Sequence, residues 1–186
     1  MIREARPDEY PAVGELRVTA YRALGLLPEG SGYAGTLRGF GFEDESDCTV
    51  LVAVDDTPDP DADSDGAGAA VIVGTIAIEW FDASSELARD ETEADVRAFA
   101  VAPGGQGRGV GRRLLVAATE YASARGLRVL RLCTQPAMLA AQRLYETTGF
   151  SRTPELDWSP GPGISLRAYE LALPLAPGLP EKIAGR

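Results

Sequence analysis

The chain contains no histidine among its 186 residues. That absence removes the Ser-His-Asp triad, the Cys-His pair and His-ligated zinc at once. A general base here has to be a carboxylate, a water, a tyrosine or a backbone group. Cysteine is scarce too: Cys48 and Cys133 are the only two, each in a β-like apolar run. Two cysteines do not make a disulfide framework, and both read as reduced core thiols. Long hydrophobic runs are missing. The longest, AAVIVGTIAI at 69–78, is far too short to cross a bilayer. The opening MIREARPDEY has no apolar centre of the kind a signal peptide needs, so a soluble, cytoplasmic protein without a membrane partner is expected. Positive charge is the minority sign, with 18 basic against 28 acidic residues and a net charge of −10. General nucleic-acid binding wants a basic face and is not expected; a cationic substrate is compatible with the charge.

What is present is an ordinary globular composition, 45% hydrophobic and 25% charged, in a length usual for one domain. The pattern along the chain predicts a short first strand at MIREA, then a helix opened by Pro7, with Tyr10, Val13, Leu16, Arg17, Ala20, Tyr21 and Leu24 near helical spacing. GLLPEGSG ends it, and a weaker helix follows over about 33–40. Strands are predicted at 48–54, 71–80 and 94–101. Between the first two lies an acidic stretch with six aspartates in 55–65. DADSDG at 61–66 imitates the start of a calcium loop, but the twelfth position, which should be glutamate, is Ile72. Residues 55–70 therefore read as a flexible acidic hairpin connection, and no metal is expected.

Gly109 to Arg125 is a strongly amphipathic helix with Val110, Leu114, Ala117, Ala118, Tyr121 and Ala122 on its buried face, and Gly126 stops it. LRVLRLCT at 127–134 is a buried strand. Pro136 to Thr148 reads as another helix, with Ala137, Ala140, Ala141, Leu144 and Tyr145 on its apolar face. FSRTP and ISLRAYELAL (164–173) are two more strands, joined by ELDWSPGPG, and residues 174–186 form an irregular tail. The order β-α-α-β-β-β-α-β-α-β-β fits an α/β (α+β) fold. Its expected form is a single mixed, mostly antiparallel sheet of about six to seven strands with helices on both faces.

The stretch FAVAPGGQGRGVGRR at 99–113 packs five glycines into Gly104–Gly111. A strand, a glycine turn and a helix make a layout for phosphate. The first N–H groups of a helix have no intrahelical partner, the macrodipole adds positive potential, and glycine lets the ligand touch the backbone. Two named loops fail on spacing. GxxxxGK[ST] meets Val110 where lysine should stand, and GxGxxG ends on Val110 or Arg112. What remains is Q-x-x-G-x-G at Gln106–Gly111, after a strand ending Val-Ala-Pro.

This V-x-P-x-x-Q-G-x-G-x-G pattern resembles the acetyl-coenzyme-A signature of the GNAT superfamily of N-acetyltransferases. LYETTGF at 144–150 resembles the L-Y-E-x-x-G-F block that closes the next helix in that family, and the order of elements is similar from end to end. The resemblance implies one acetyltransferase domain over 1–186 and acetyl-CoA as co-substrate. It implies that Phe99, Ala100 and Val101 pair with the pantetheine arm, with the Val101 amide also facing the thioester carbonyl. By the same resemblance Gln106, Gly107, Arg108, Gly109, Val110, Gly111 and Arg112 cradle the pyrophosphate, and Tyr145 lies near the coenzyme sulfur. Asp95 falls where some members carry a glutamate base. The family often has asparagine seven residues before the tyrosine. Here that position is Met138, and Gln135 is the candidate replacement.

The implied chemistry is direct attack of a primary amine on the acetyl thioester in a ternary complex. Bringing an amine of pKa about 10.4 to its free base at pH 7 costs roughly 4 to 5 kcal/mol, so a carboxylate, directly or through water, is wanted. Asp95 is the first candidate, because alternation would put Asp95, Arg97, Phe99 and Val101 on one strand face. Glu79 is the alternative, and Glu93, in an acidic loop, the weaker one. The Val101 N–H would hold the oxyanion, and Tyr145 would protonate the leaving thiolate. The acceptor region, 21–42 with 155–163, carries Tyr21, Tyr33, Phe40, Phe42 and Trp158, and Glu43 follows. The acceptor is an unidentified small-molecule or peptide amine, and a homodimer is allowed. An acyl-CoA sensor without turnover, and a transferase of a longer acyl group, are the alternative functions.

Overall fold

The structure is a computed structural model, and it describes residues 1–42, 48–55 and 71–174. The acidic stretch from Asp56, Glu43 and the tail from 175 lie outside the described residues. Eight strands alternate with four α-helices: β1 (Ile2–Glu4), α1 (Tyr10–Ala23), α2 (Tyr33–Gly39), β2 (Cys48–Asp55), β3 (Val71–Trp80), β4 (Glu93–Val101), α3 (Val110–Ala124), β5 (Val129–Thr134), α4 (Leu139–Thr147), β6 (Ser151–Arg152), β7 (Trp158–Gly161) and β8 (Ile164–Ala172). Their hydrogen-bonded order is β1-β2-β3-β4-β5-β8-β6, with β7 on β8. The pairs β1–β2, β2–β3, β5–β8, β6–β8 and β7–β8 are antiparallel. The sheet thus has one or two strands more than the sequence predicts. The addition is β7, inside the segment read as a plain connection.

The described residues fall into two compact units, one from Met1–Glu79 and Val96–Ala118, the other from Trp80–Asp95 and Thr119–Arg186. In the first, Val13 of α1 packs with Val50, Val52, Val54 and Ala77 of β2 and β3. Val18, Leu27, Ala34 and Leu37 form a second cluster under α1 and α2. Close approach sets two glycines. A Cβ on Gly14 would sit 2.8 Å from the Arg38 carbonyl oxygen, so α1 can meet α2 only through glycine there. A Cβ on Gly74 would meet Leu114 and Val110 at 2.9 and 3.0 Å, which makes room for the first turns of α3. The buried face of α1 is Val13, Gly14, Arg17, Val18 and Ala20, whereas Leu24, predicted to face inward, is 51% exposed.

In the second unit, Leu130 and Leu132 of β5 and Ala168 and Tyr169 of β8 are buried. β5 lies along β8 from Val129↔Ala172 to Thr134↔Arg167. Here α4 differs from its predicted form. It begins at Leu139, because Met138 takes a non-helical backbone (φ −81, ψ 63). Its buried positions are Gln142 and Tyr145, while Ala137 and Ala140, predicted on the apolar face, are exposed. Glu93 is not a loop residue. It opens β4, is 8% exposed, accepts the Arg89 N–H at 2.7 Å and pairs with the Arg131 guanidinium.

Candidate functional site

In the first unit, β4 ends at Val101 and the chain turns by a single 3-10 turn, Pro103–Gly105, into the glycine stretch. The turn is pinned to β3: the Ala102 N–H donates to the Val73 carbonyl at 2.9 Å. The glycines divide by task. Gly105 is buried, and a Cβ there would meet the Val73 carbonyl oxygen at 3.0 Å, so this glycine serves packing within the protein. Gly107 and Gly109 adopt left-handed backbone, φ +73 and +72, which side-chain-bearing residues disfavour by about 1–2 kcal/mol. Among the described residues, a Cβ at Gly107 would meet nothing within 4 Å, and one at Gly109 would meet the Arg113 Nη1 at 3.6 Å. These two glycines therefore face open space. Val110, 1% exposed, anchors the start of α3 immediately after them.

Gln106, Gly107, Arg108 and Gly109 are exposed between the buried anchors Gly105 and Val110, and Arg112 is exposed on the first turn of α3. Arg108 pairs with Asp55 at 2.7 Å, and the Arg113 Nη1 donates to the Arg108 carbonyl at 3.0 Å. The donor set is backbone N–H groups at a helix start with two exposed guanidiniums, which fits a pyrophosphate-bearing group.

Within β4, Ala98 has φ +46, a left-handed residue inside a strand. Such a residue breaks the period of two and marks a bulge. The predicted common face for Asp95, Arg97, Phe99 and Val101 therefore cannot be carried across Ala98 by alternation. Just before that kink, Arg97 pairs with Glu79 at 3.0 Å, and its guanidinium lies over the Phe40 ring at 5.0 Å. Both side chains of the pair keep about a fifth of their surface, 19% and 21%. Cys48 stands opposite Glu79 in the β2–β3 register. Burial pushes its thiol up to about 12, so it stays protonated and is no nucleophile at neutral pH.

The second unit holds the other sequence candidates. Asp95 is fully buried, and one of its oxygens accepts the Leu87 N–H at 2.9 Å. Tyr145 is 5% exposed, with its ring centroid 5.6 Å from Tyr169, edge-on, and 6.1 Å from Phe150. The Gln135 carbonyl accepts the Met138 N–H at 3.0 Å and the Gln142 Nε2 at 3.3 Å. Gln142, which the sequence reading passed over, ties this corner together. Its Nε2 also donates to the Pro136 carbonyl at 2.8 Å, and its Oε1 accepts from the Arg167 Nη1 at 3.1 Å and the Tyr169 hydroxyl at 3.4 Å. A signal existed: Gln142 lies one turn before Tyr145, on the same helix face. Among the described residues there is no group of acids and cysteines able to hold a metal, and no helix long and apolar enough to cross a membrane.

A sequence model described as the acetyltransferase (GNAT) family matches residues 15–150, spanning β4, the glycine turn and α4. The chain belongs to the GNAT acetyltransferase family. Solved structures agree on the fold. This GNAT chain is similar to an acetyltransferase of the GNAT family from Staphylococcus aureus Mu50, with 16% identity, 94% of this chain and 99% of that one covered, and a TM-score of 0.69. It is similar to the ribosomal-protein-alanine N-acetyltransferase of Brucella melitensis, with 20% identity, 93% and 99% coverage and a TM-score of 0.64. It is also similar to yncA of Salmonella typhimurium, solved with its cofactor acetyl-CoA, with 18% identity, 97% and 98% coverage and a TM-score of 0.60. No curated protein sequence matches the chain. Acetyl transfer from acetyl-CoA is the general activity of the GNAT family.

Proposed function

We propose that the protein is an N-acetyltransferase that moves the acetyl group of acetyl-CoA to a primary amine by direct attack. The observation that carries this reading is the β4–turn–α3 segment. Two left-handed glycines open onto free space between two buried anchors, at the start of a helix flanked by Arg108 and Arg112. The pyrophosphate would lie on the backbone of Gln106–Gly111, with Arg112 beside it, and the pantetheine arm along Phe99, Ala100 and Val101, with Gln135 as a further contact.

In the reaction the amine nitrogen forms a bond to the thioester carbon, the carbon–sulfur bond breaks, and the electron pair leaves on sulfur. One amine proton goes to the base, and the thiolate takes a proton from an acid. The Val101 N–H holds the oxyanion, and the Tyr145 phenol supplies the thiolate proton. A high thiol pKa at Cys48 argues against an acyl-cysteine route through that residue.

For the base the two candidate carboxylates differ in exposure. Asp95 is enclosed and bonded to backbone, whereas Glu79 keeps part of its surface beside Arg97. A base must exchange its proton with substrate or water, so we assign the role to Glu79 and a loop-holding role to Asp95. Thiol release from acetyl-CoA over an amine panel tests the reading. Turnover on at least one amine, a longer acyl-CoA being slower, supports it. Tight coenzyme binding without thiol release would show a sensor instead. Asp95→Asn should lower Tm, while Glu79→Gln should lower kcat/KM at least about tenfold with little change in Tm. Full kcat/KM in Glu79→Gln, with a loss in Asp95→Asn at unchanged Tm, would return the base to Asp95.

A further inference from the structure

Arg17 is among the largest fully buried side chains of the described residues. Its Nη1 donates to two carbonyls at the end of α2, Phe40 at 2.6 Å and Leu37 at 3.3 Å, and its guanidinium lies 4.8 Å from the Phe42 ring centroid. Its Nε and Nη2 are buried without a hydrogen-bond partner. Among the described residues no carboxylate pairs with it. Burial lowers the guanidinium to about 10, with Cys48, Tyr21 and Tyr33 acting the other way, so it remains charged at neutral pH. A buried cation without a counter-ion among the described residues, and with unspent donors, is costly in a finished interior.

Clasping the end of α2 explains Nη1 but not the rest. One donor atom suffices for a helix end, and arginine brings five N–H groups in a fork matched to a carboxylate. Among the described residues around Phe40 and Phe42, Arg17 and Arg97 face the Glu79 carboxylate, which pairs with Arg97. Phe40, Phe42 and Cys48 are only half-buried, while the Arg17 side chain beside them is fully buried.

We propose that Arg17 receives a carboxylate carried by the acceptor, so that the acceptor class is amines that also bear a carboxylate, with α-amino acids the simplest case. The assignment rests on the N-acetyltransferase reading above. The carboxylate takes the Nε and Nη2 donors as a bidentate pair, and the amine at the other end of the same head group is directed toward Glu79. Neutral amines of the same shape leave the donors unpaired and are poor acceptors.

The experiment has two arms. In the first, thiol release from acetyl-CoA is followed with the L-amino acids and with their primary amides. The expected kcat/KM ratio of acid over amide is roughly 10- to 100-fold for the best acceptor, the range of one charge-assisted contact. Arg17→Met should bring that ratio to near one, and Arg17→Lys, which keeps the charge and loses the fork, should retain part of it. In the second, 15N-arginine NMR of the wild-type protein with coenzyme A follows the Arg17 Nε–H during titration with N-acetylglycine or N-acetylglycinamide at constant ionic strength. A shift with the acid alone supports the proposal even if the Arg17 variants fail to fold. Turnover with equal acid and amide ratios overturns the carboxylate site and leaves the acetyltransferase reading standing. No turnover on any amine overturns the acetyltransferase reading, and the NMR arm then decides the anion site. An Arg17 signal unmoved by N-acetylglycine overturns it.

Discussion

The two kinds of glycine in the loop predict opposite phenotypes for the same substitution. At Gly105 an added methyl would lie 3.0 Å from the Val73 carbonyl oxygen, 3.3 Å from the Val101 Cγ1 and 3.4 Å from the Val73 Cβ. Two of these neighbours sit on the β3 strand and cannot give way freely. Gly105→Ala should therefore cost about 1–3 kcal/mol, the usual range for overpacking. For a chain of this size that is a fall of roughly 2–4 °C in Tm per kcal/mol. Its effect on coenzyme A should be small, within about threefold, which is under 1 kcal/mol. At Gly107 the methyl meets nothing within 4 Å, but the backbone is at φ +73. Gly107→Ala should cost about 1 kcal/mol of stability from left-handed strain alone. The same methyl would occupy the open space assigned to the pyrophosphate and would remove at least one charge-assisted backbone contact, about 10- to 100-fold in Kd. Melting curves and calorimetric titration with coenzyme A on both variants decide the matter. If Gly105→Ala loses affinity while Gly107→Ala binds normally, the loop is not the pyrophosphate cradle, and the division of the glycines into packing and binding is wrong.

Tyr145→Phe keeps the ring contacts with Phe150 and Tyr169, so Tm should hold while kcat falls at least about tenfold, the lower range for a general acid; full kcat would remove Tyr145 from the chemistry. Glu9 is held at about 2 by hydrogen bonding to Arg3, below its ordinary 4.5. Its contribution is complete above pH 4.5 and lost as pH falls through 2. The full linkage would be about 3 kcal/mol, and screening at this partly exposed pair reduces it to about 1 kcal/mol. The stability gap between wild type and Glu9→Gln should therefore narrow on acidification over that window, and a gap independent of pH would refute the assignment. Cys48, with its thiol near 12, should react with a disulfide reagent at pH 8 only on unfolding in a Cys133→Ser background, and fast native labelling would refute its enclosure.

The strands of the sheet were legible wherever burial and β-branching coincide. Residues 71–80 were predicted and observed as Val71–Trp80, and 48–54 extends by one residue to Asp55. β7 was not legible, because WSPG carries a proline and a glycine, which strand interiors disfavour. It exists only by pairing, Trp158↔Leu166 and Gly161↔Ile164, around an irregularity. The start of α4 misled for the converse reason. Pro136 is well suited to a first helical turn, but Gln142 donates to the carbonyls of Gln135 and Pro136 and holds that corner in another shape. The glycine turn was legible as a binding loop from spacing, yet spacing could not separate Gly105, which touches β3, from Gly107, which touches nothing. That distinction depends on what lies across the space, and no local pattern encodes it.

The same limit governs Arg17. Helical spacing placed it on the inward face of α1 with Val13 and Ala20, and the structure buries all three. In a sequence, a charged residue on an apolar stripe reads as a side chain that bends out to solvent, since long basic side chains commonly do so. Here the exit is closed by Leu37, Phe40 and Phe42, which arrive from α2 and the turn after it. Pattern therefore carries the position, and only the fold carries the consequence. Buried charge is rare unless it is paired, so an arginine that the fold encloses with spare donors is more informative about a ligand than the exposed arginines of the glycine loop. Those need no ligand to be where they are, whereas Arg17 keeps two buried donors without a partner among the described residues.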